Sequence, residues 1–180
     1  MFDRLCESES VGLVTPGLVD LLAGGESQTV EFKSTARVNL HTGARDKRME
    51  HVISKSVCGF LNAEGGKLLI GVDDQGTLLG LDTDMRTLGK KGNRDGFELA
   101  LRQSLDHSLS ALTASTVRIE FESCEGADVC VVTVAASGKP VFARSLEGAG
   151  EPSEFWVRMG NATKQIHGAD MLEYQSEHWG

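Results

Sequence analysis

The sequence has no apolar run approaching the roughly 18 residues of a membrane span, and its N-terminus lacks a basic stretch followed by an apolar one. A soluble, cytoplasmic protein with no membrane partner is expected. Proline is scarce, at three residues in 180, whereas glycine reaches 21. That balance predicts tight turns and glycine-ended strands rather than linkers. The four cysteines, Cys6, Cys58, Cys124 and Cys130, form no C-x-x-C pair and have no histidine at zinc-ligand spacing beside them. Structural thiols in a reducing compartment are expected. Gly65-Gly66-Lys67 lacks the upstream glycine of a phosphate-binding P-loop, and Leu68 stands where Ser or Thr is required. His41, His51, His107, His167 and His178 share no spacing with a nucleophile, which sets aside serine and cysteine hydrolase chemistry. The net charge is −8, so the surface as a whole repels nucleic acid except where basic residues cluster.

What is present fits one globular domain. With 40% hydrophobic and 24% charged residues, the chain can bury about two thirds of its unfolded surface. Residues 1–19 read as a leader and short helix, with Thr15 as N-cap and Pro16 in the first position, and 20–180 as the domain. Residues 29–35 alternate Val30 and Phe32 with Glu31 and Lys33, a strand pattern. A polar loop over 36–46, with Arg37, His41, Arg45 and Asp46, precedes an apolar stripe of Met49, Val52, Ile53, Val57, Phe60 and Leu61 at helical spacing. Residues 67–72 form a buried strand, 73–76 a turn, and 77–81 the returning strand of a hairpin.

After a charged connection, Asp95 with Glu98 resembles a capping box, and Phe97, Leu101, Leu105, Leu109 and Leu112 make one helical face. Strands over 117–122 and 129–134 flank a turn at 125–128. Residues 141–143 and 154–158 are further strand candidates, and a last helix runs from about 168 to 179. The order β-α-β-β-α-β-β-β-β-α predicts an α+β domain, a mixed β-sheet with helices packed mainly on one face.

Three carboxylates could make a seat for a hard divalent cation that activates water against a phosphodiester. Glu26 and Glu31, five apart, point to opposite faces of a straight strand, and they converge only if Glu26 lies on the turn before it, as Gly24-Gly25 permits. Otherwise Glu31 is an outward rung, and Asp74 is turn chemistry within Asp73-Asp74-Gln75-Gly76. Lys33, on the strand face of Glu31, either holds a phosphate or pairs with the glutamate. Arg45, Lys47 and Arg48 open the first long helix, where positive charge is disfavoured by the dipole unless a phosphate backbone offsets it; a solvated loop is the other reading. Lys90, Lys91 and Arg94 read as a solvated linker. Trp156 or Phe155 could stack on bases, with one of the two facing inward. Arg158, with Gly160 and Thr163, offers donors for phosphate or serves the turn.

Taken together, these residues resemble a known family. Glu26-Ser27-x-x-Val30-Glu31-Phe32-Lys33 is similar to the E-S-x-x-V-E-F-K signature of the Schlafen-type AlbA-like domain. Gly59-Phe60-Leu61-Asn62-Ala63-Glu64-Gly65-Gly66, Leu69-Ile70-Gly71-Val72-Asp73-Asp74-x-Gly76 and Phe155-Trp156-Val157-Arg158-Met159-Gly160-Asn161-Ala162-Thr163 continue the likeness in order. The resemblance implies that Glu26, Glu31 and Asp74 bind a divalent metal; with Mg²⁺ or Mn²⁺ there, Lys33 is expected to steady developing charge, and Arg45, Lys47, Arg48 and Arg158 to contact nucleic acid. It implies a metal-dependent endoribonuclease acting on tRNA-like or other structured RNA, with RNA favoured over DNA. Because animal relatives join two related lobes, it also implies a homodimer. The alternative within the family is a non-catalytic nucleic-acid (DNA)-binding or regulatory module. Outside it stands an oligomerisation module.

Overall fold

A computed structural model describes residues 17–147 and 153–180. The expected cap Thr15 and the Pro16 after it, with Cys6 and the rest of the leader, lie outside these residues. A short helix α1, Leu18–Gly24, buries Leu18 and Leu21. It leads into strand β1, Val30–Lys33. The loop read over 36–46 closes as a small antiparallel hairpin of β2, Val38–Asn39, and β3, Ala44–Arg45. Helix α2, Lys47–Leu61, begins at Asp46, whose carboxylate accepts the Arg48 amide proton at 2.9 Å. This cap satisfies one of the orphan donors of the first turn. Strand β4, Gly66–Ile70, then returns parallel to β1, as a helical crossover allows.

The returning strand expected over 77–81 reduces to a single bridge, Val72 with Leu78. The chain instead folds back on the Gly71 carbonyl, which accepts the amides of Leu79 and Gly80. The charged connection contains a further helix, α3, Asp82–Arg86, whose Asp84 is buried. Helix α4, Arg94–Leu109, is capped by Asn93 and not by Asp95. Glu98 pairs with Arg102 one turn on, at 2.8 Å. The apolar face ends at Leu109. Ser110 adopts φ 80°, and Leu112 falls on the separate short helix α5, Ala111–Ala114, where it is exposed.

Strands β5, Arg118–Cys124, and β6, Ala127–Val134, form the expected antiparallel hairpin. Residues 141–143 make only one bridge, Ala143 with Glu154. The last hairpin joins β7, Trp156–Met159, to β8, Ala162–Gln165, a strand the sequence pattern did not indicate. Helix α6, Gly168–Trp179, follows it.

The central sheet has four strands in the order β1-β4-β6-β5, with β1 and β4 parallel and the other pairs antiparallel. Alternation along the strands splits its side chains between two layers. Leu68, Ile70, Cys130, Val132 and Val134 pack with Ile53, Val57 and Phe60 of α2 and with Phe97, Leu101 and Leu105 of α4. On the reverse face Phe32, Leu69, Val129 and Val131 meet Leu18 and Leu21 of α1. The expected α+β architecture therefore holds, with α1 the one helix among the described residues that packs on the second face. A third cluster, Ala63, Phe155 and Val157 with Tyr174 and Trp179, fastens α6 beside the β7–β8 hairpin. Fully burying a side chain such as Phe60 contributes about 1.5–3 kcal/mol.

Two residues at the end of α2 lock these layers together. Asn62 is wholly buried; its amide nitrogen donates to the carbonyls of Val141 (2.7 Å) and Trp156 (2.9 Å), and its oxygen accepts the Val141 amide at 2.8 Å. Gly65 follows at φ 79°, and a Cβ there would stand 2.5 Å from the Val134 carbonyl oxygen. Only glycine fits. Cys58, Cys124 and Cys130 are free, and burial pushes the Cys58 thiol up to about 12. No helix among the described residues is long and apolar enough to cross a membrane.

Candidate functional site

Glu26 lies before β1, an edge strand of the sheet, and its Oε1 accepts the Phe32 amide proton at 2.9 Å. A carboxylate here satisfies a donor that an edge strand otherwise presents to water or to another chain. Glu31 projects from the same strand and is buried. Its Oε1 meets Lys33 Nζ at 2.7 Å, and its Oε2 accepts from Arg158 Nη1 at 2.8 Å. Lys33 thus pairs with the glutamate, and Nζ also donates to the Phe32 carbonyl.

Arg158, on β7, is only 2% exposed. Nε and Nη2 donate to the Ser27 carbonyl at 3.2 and 2.7 Å, and Nη2 also reaches the Val30 carbonyl at 2.9 Å. The guanidinium carbon lies 5.3 Å from the Phe60 ring centroid. Gln28 reinforces the junction by donating to the Arg158 carbonyl at 3.1 Å. Arg158 is therefore a clamp between the β7–β8 hairpin and the start of β1, not a donor held out to nucleic acid. Five donors in a rigid fork suit this multidentate role.

Asp74 stands apart, exposed on the turn after β4. Its neighbour Asp73 accepts the amides of Gln75 (2.9 Å) and Thr77 (2.8 Å), and these bonds hold its carboxyl below the usual range. Among the described residues, no group of three or more His, Cys, Asp or Glu side chains could hold a metal ion. Glu31 is paired with two cations, Glu26 holds a backbone amide through Oε1 and Asp74 stands apart from both, so these residues as arranged do not fit the divalent cation that the resemblance implies.

A different feature brings several basic residues together. A cleft of about 480 Å³ opens between α2 and α4, with the chain around Arg144 as a further wall. Arg37, Arg45, Lys47 and Arg144 line it, against one carboxylate, Glu50. Arg45 donates to Glu50 through Nε at 2.7 Å and Nη2 at 3.1 Å. Arg48, expected beside them, turns to Asp46 at 2.9 Å and is not among the lining residues. Asp84 fixes the floor, accepting the amides of Ala36 (2.8 Å) and Arg37 (3.0 Å), and burial raises its carboxyl above the ordinary value.

A family model, Schlafen, AlbA_2, matches residues 26–167. The chain belongs to this Schlafen family. Its fold is shared with the DIP2311 protein of Corynebacterium diphtheriae, at 20% identity and a TM-score of 0.56 over 85% of this chain. This chain spans 28% of that protein's length. It is shared also with the N-terminal domain of a protein from Nitrosomonas europaea described as related to the ATP-dependent DNA helicase RecG, at 19% identity and a TM-score of 0.50. There the match covers 85% of this chain and 95% of the other.

In this Schlafen domain, the signature residues Glu31, Asn62 and Arg158 thus build the junction around β1, α2 and β7. Of the four cations the sequence assigned to nucleic acid, Arg45 and Lys47 line the cleft and Arg48 and Arg158 do not; Arg37, His51, His107 and Arg144, which also line it, were not assigned such a role. Arg37 was visible as a cation in a polar loop; nothing local in the sequence connects it to Arg144.

Proposed function

We propose that this domain binds nucleic acid through the cleft between α2 and α4, and that Glu26, Glu31 and Arg158 form a structural junction rather than a hydrolytic centre. The observation that carries the reading is the concentration of Arg37, Arg45, Lys47 and Arg144 in one cleft of a chain whose net charge is −8. Phosphate contacts dominate nucleic-acid affinity and need clustered cations, not overall positive charge. Membership of the Schlafen AlbA_2 family supports this reading, and the helicase-related name of the Nitrosomonas europaea relative is in keeping with it. The cleft's donors address phosphate, which RNA and DNA share, so the expected preference for RNA enters as one arm of the test.

The test incubates the protein with transfer RNA and with single-stranded DNA, in Mn²⁺ or in EDTA, beside Lys47→Ala and Asp74→Ala. Expected are salt-sensitive binding without cutting and weaker binding by Lys47→Ala, which lowers the slope against log salt by about 0.7 on a single strand. Metal-dependent cleavage that the exposed Asp74→Ala substitution abolishes would restore the endoribonuclease with Mg²⁺ or Mn²⁺. Sedimentation of the same sample reports whether the expected homodimer forms.

A further inference from the structure

Within the cleft one cation is unlike the rest. Arg37 is only 9% exposed, yet its Nε is buried without a hydrogen-bond partner among the described residues. Glu50 Oε1 stands 3.7 Å from that nitrogen, too far for a hydrogen bond, and is already held by Arg45 at 2.7 Å. A buried donor left unmade is costly, and a buried guanidinium more so. Desolvation, and then the nearby charge of Arg45, lower the pKa of Arg37 from its ordinary value, and the carboxylates of Glu50 and Asp84 offset this only in part. Asp84 relieves it only in part: its charge favours the Arg37 cation, but its oxygens accept the backbone amides of Ala36 and Arg37, which anchors the residue in place.

We propose that the cleft is a subsite for a phosphate monoester, with Arg37 as its buried anchor and Arg45, Lys47 and Arg144 as its walls. The inference rests on the nucleic-acid reading and narrows it to the phosphorylated end of a strand. Three observations favour an end over an internal diester. Among the described residues, the four permanent cations exceed the one lining carboxylate by three charges, and that carboxylate and Asp84 together by two, still more than a singly charged diester calls for. A volume of about 480 Å³ lies towards the small end of ligand pockets, which run from about 300 to 1,000 Å³, and suits one nucleotide unit rather than a passing strand. Among the described residues the lining has no Trp, Tyr or Phe and offers a base only the smaller rings of His51 and His107, whereas Gln103, Ser104 and Ser108 offer neutral donors suited to phosphate oxygens.

The experiment measures fluorescence anisotropy of short labelled single strands that differ only in carrying a 5′-phosphate, a 3′-phosphate or hydroxyl ends. Adenosine monophosphate and inorganic phosphate serve as competitors. One terminal phosphate is expected to tighten binding about tenfold, the equivalent of one charge-assisted contact of about 1.4 kcal/mol. Arg37→Lys, which keeps the charge but removes Nε, should erase most of that increment, weakening the phosphate-ended strand more than the hydroxyl-ended one. Arg144→Ala, at an exposed position, should reduce the increment even if substitution at the buried Arg37 impairs folding. A phosphorylated strand binding far tighter than adenosine monophosphate identifies the strand end as the ligand, and equal affinities identify the free nucleotide; either supports the subsite. Equal binding of phosphate- and hydroxyl-ended strands overturns the subsite while leaving nucleic-acid binding in place. No binding to any strand overturns both.

Discussion

Two clusters of charge in this molecule solve opposite problems. Around β1, Glu31 is buried and meets Lys33 and Arg158 at under 3 Å, while Arg158 spends its remaining donors on two backbone carbonyls. In the cleft, Arg37 has a buried nitrogen with no hydrogen-bond partner among the described residues, and its neighbour Arg45 holds the one glutamate of the described lining. A network whose members satisfy one another is structure; a set of like charges left short of partners is poised for something from outside. The residues that carry the family signature fall in the first cluster, and those that line the cleft fall in the second.

The contrast is broken most severely at Arg158. Arg158→Ala should lower unfolding free energy by about 3–5 kcal/mol, because it leaves Glu31 as a buried charge without its arginine partner. Guanidinium denaturation reads this directly, and a loss below about 1 kcal/mol would mean that the clamp is not structural. Lys47→Ala, used above for binding, is the matched control and should change stability by no more than about 0.5 kcal/mol.

A smaller break lies at Asn62. Asn62→Ala should cost about 2–3 kcal/mol, since it orphans the Val141 amide and two carbonyls within the core. At about 2–4 °C per kcal/mol for a chain of this length, the thermal midpoint falls by several degrees.

The smallest effect sharpens the comparison, because two surface pairs are satisfied like the clamp but exposed like the cleft. Hydrogen bonds from Arg48 hold Asp46, and those from Arg94 and then Ser123 hold Asp128, so that both carboxyls fall from 3.8 to about 2. A carboxyl with a folded value below its unfolded one stabilises the protein above about pH 4. That contribution disappears as pH falls through about 2. Asp128→Asn should therefore cost about 0.2–1 kcal/mol at neutral pH, as exposed pairs do, and only a fraction of that at pH 2. Denaturation curves at the two pH values check it.

Much of the fold was legible because periodicity is local. The alternation of β1, the stripe of α2 and the β-branched run of β6 each report their own burial. The errors arose where one contact overrides local pattern. Leu112 continued a helical spacing that Ser110 interrupts, and residues 77–81 looked like a strand but fold back onto the Gly71 carbonyl. Asp84 read as linker charge, yet it is buried because two backbone amides need an acceptor there. The same limit governed the site. The pairing of Lys33 with Glu31 was open to a reading by i, i+2 spacing, whereas Arg158 reaches Glu31 across 127 positions.

The amino-acid order alone determined the mixed sheet, its main helices and the family signature, since hydrophobic spacing and turn chemistry act between near neighbours. Tertiary structure alone decided which charges cancel. Whether a glutamate holds a cation or an arginine depends on what the fold carries to within 3 Å of it, and in a buried setting that one neighbour outweighs everything its own segment encodes.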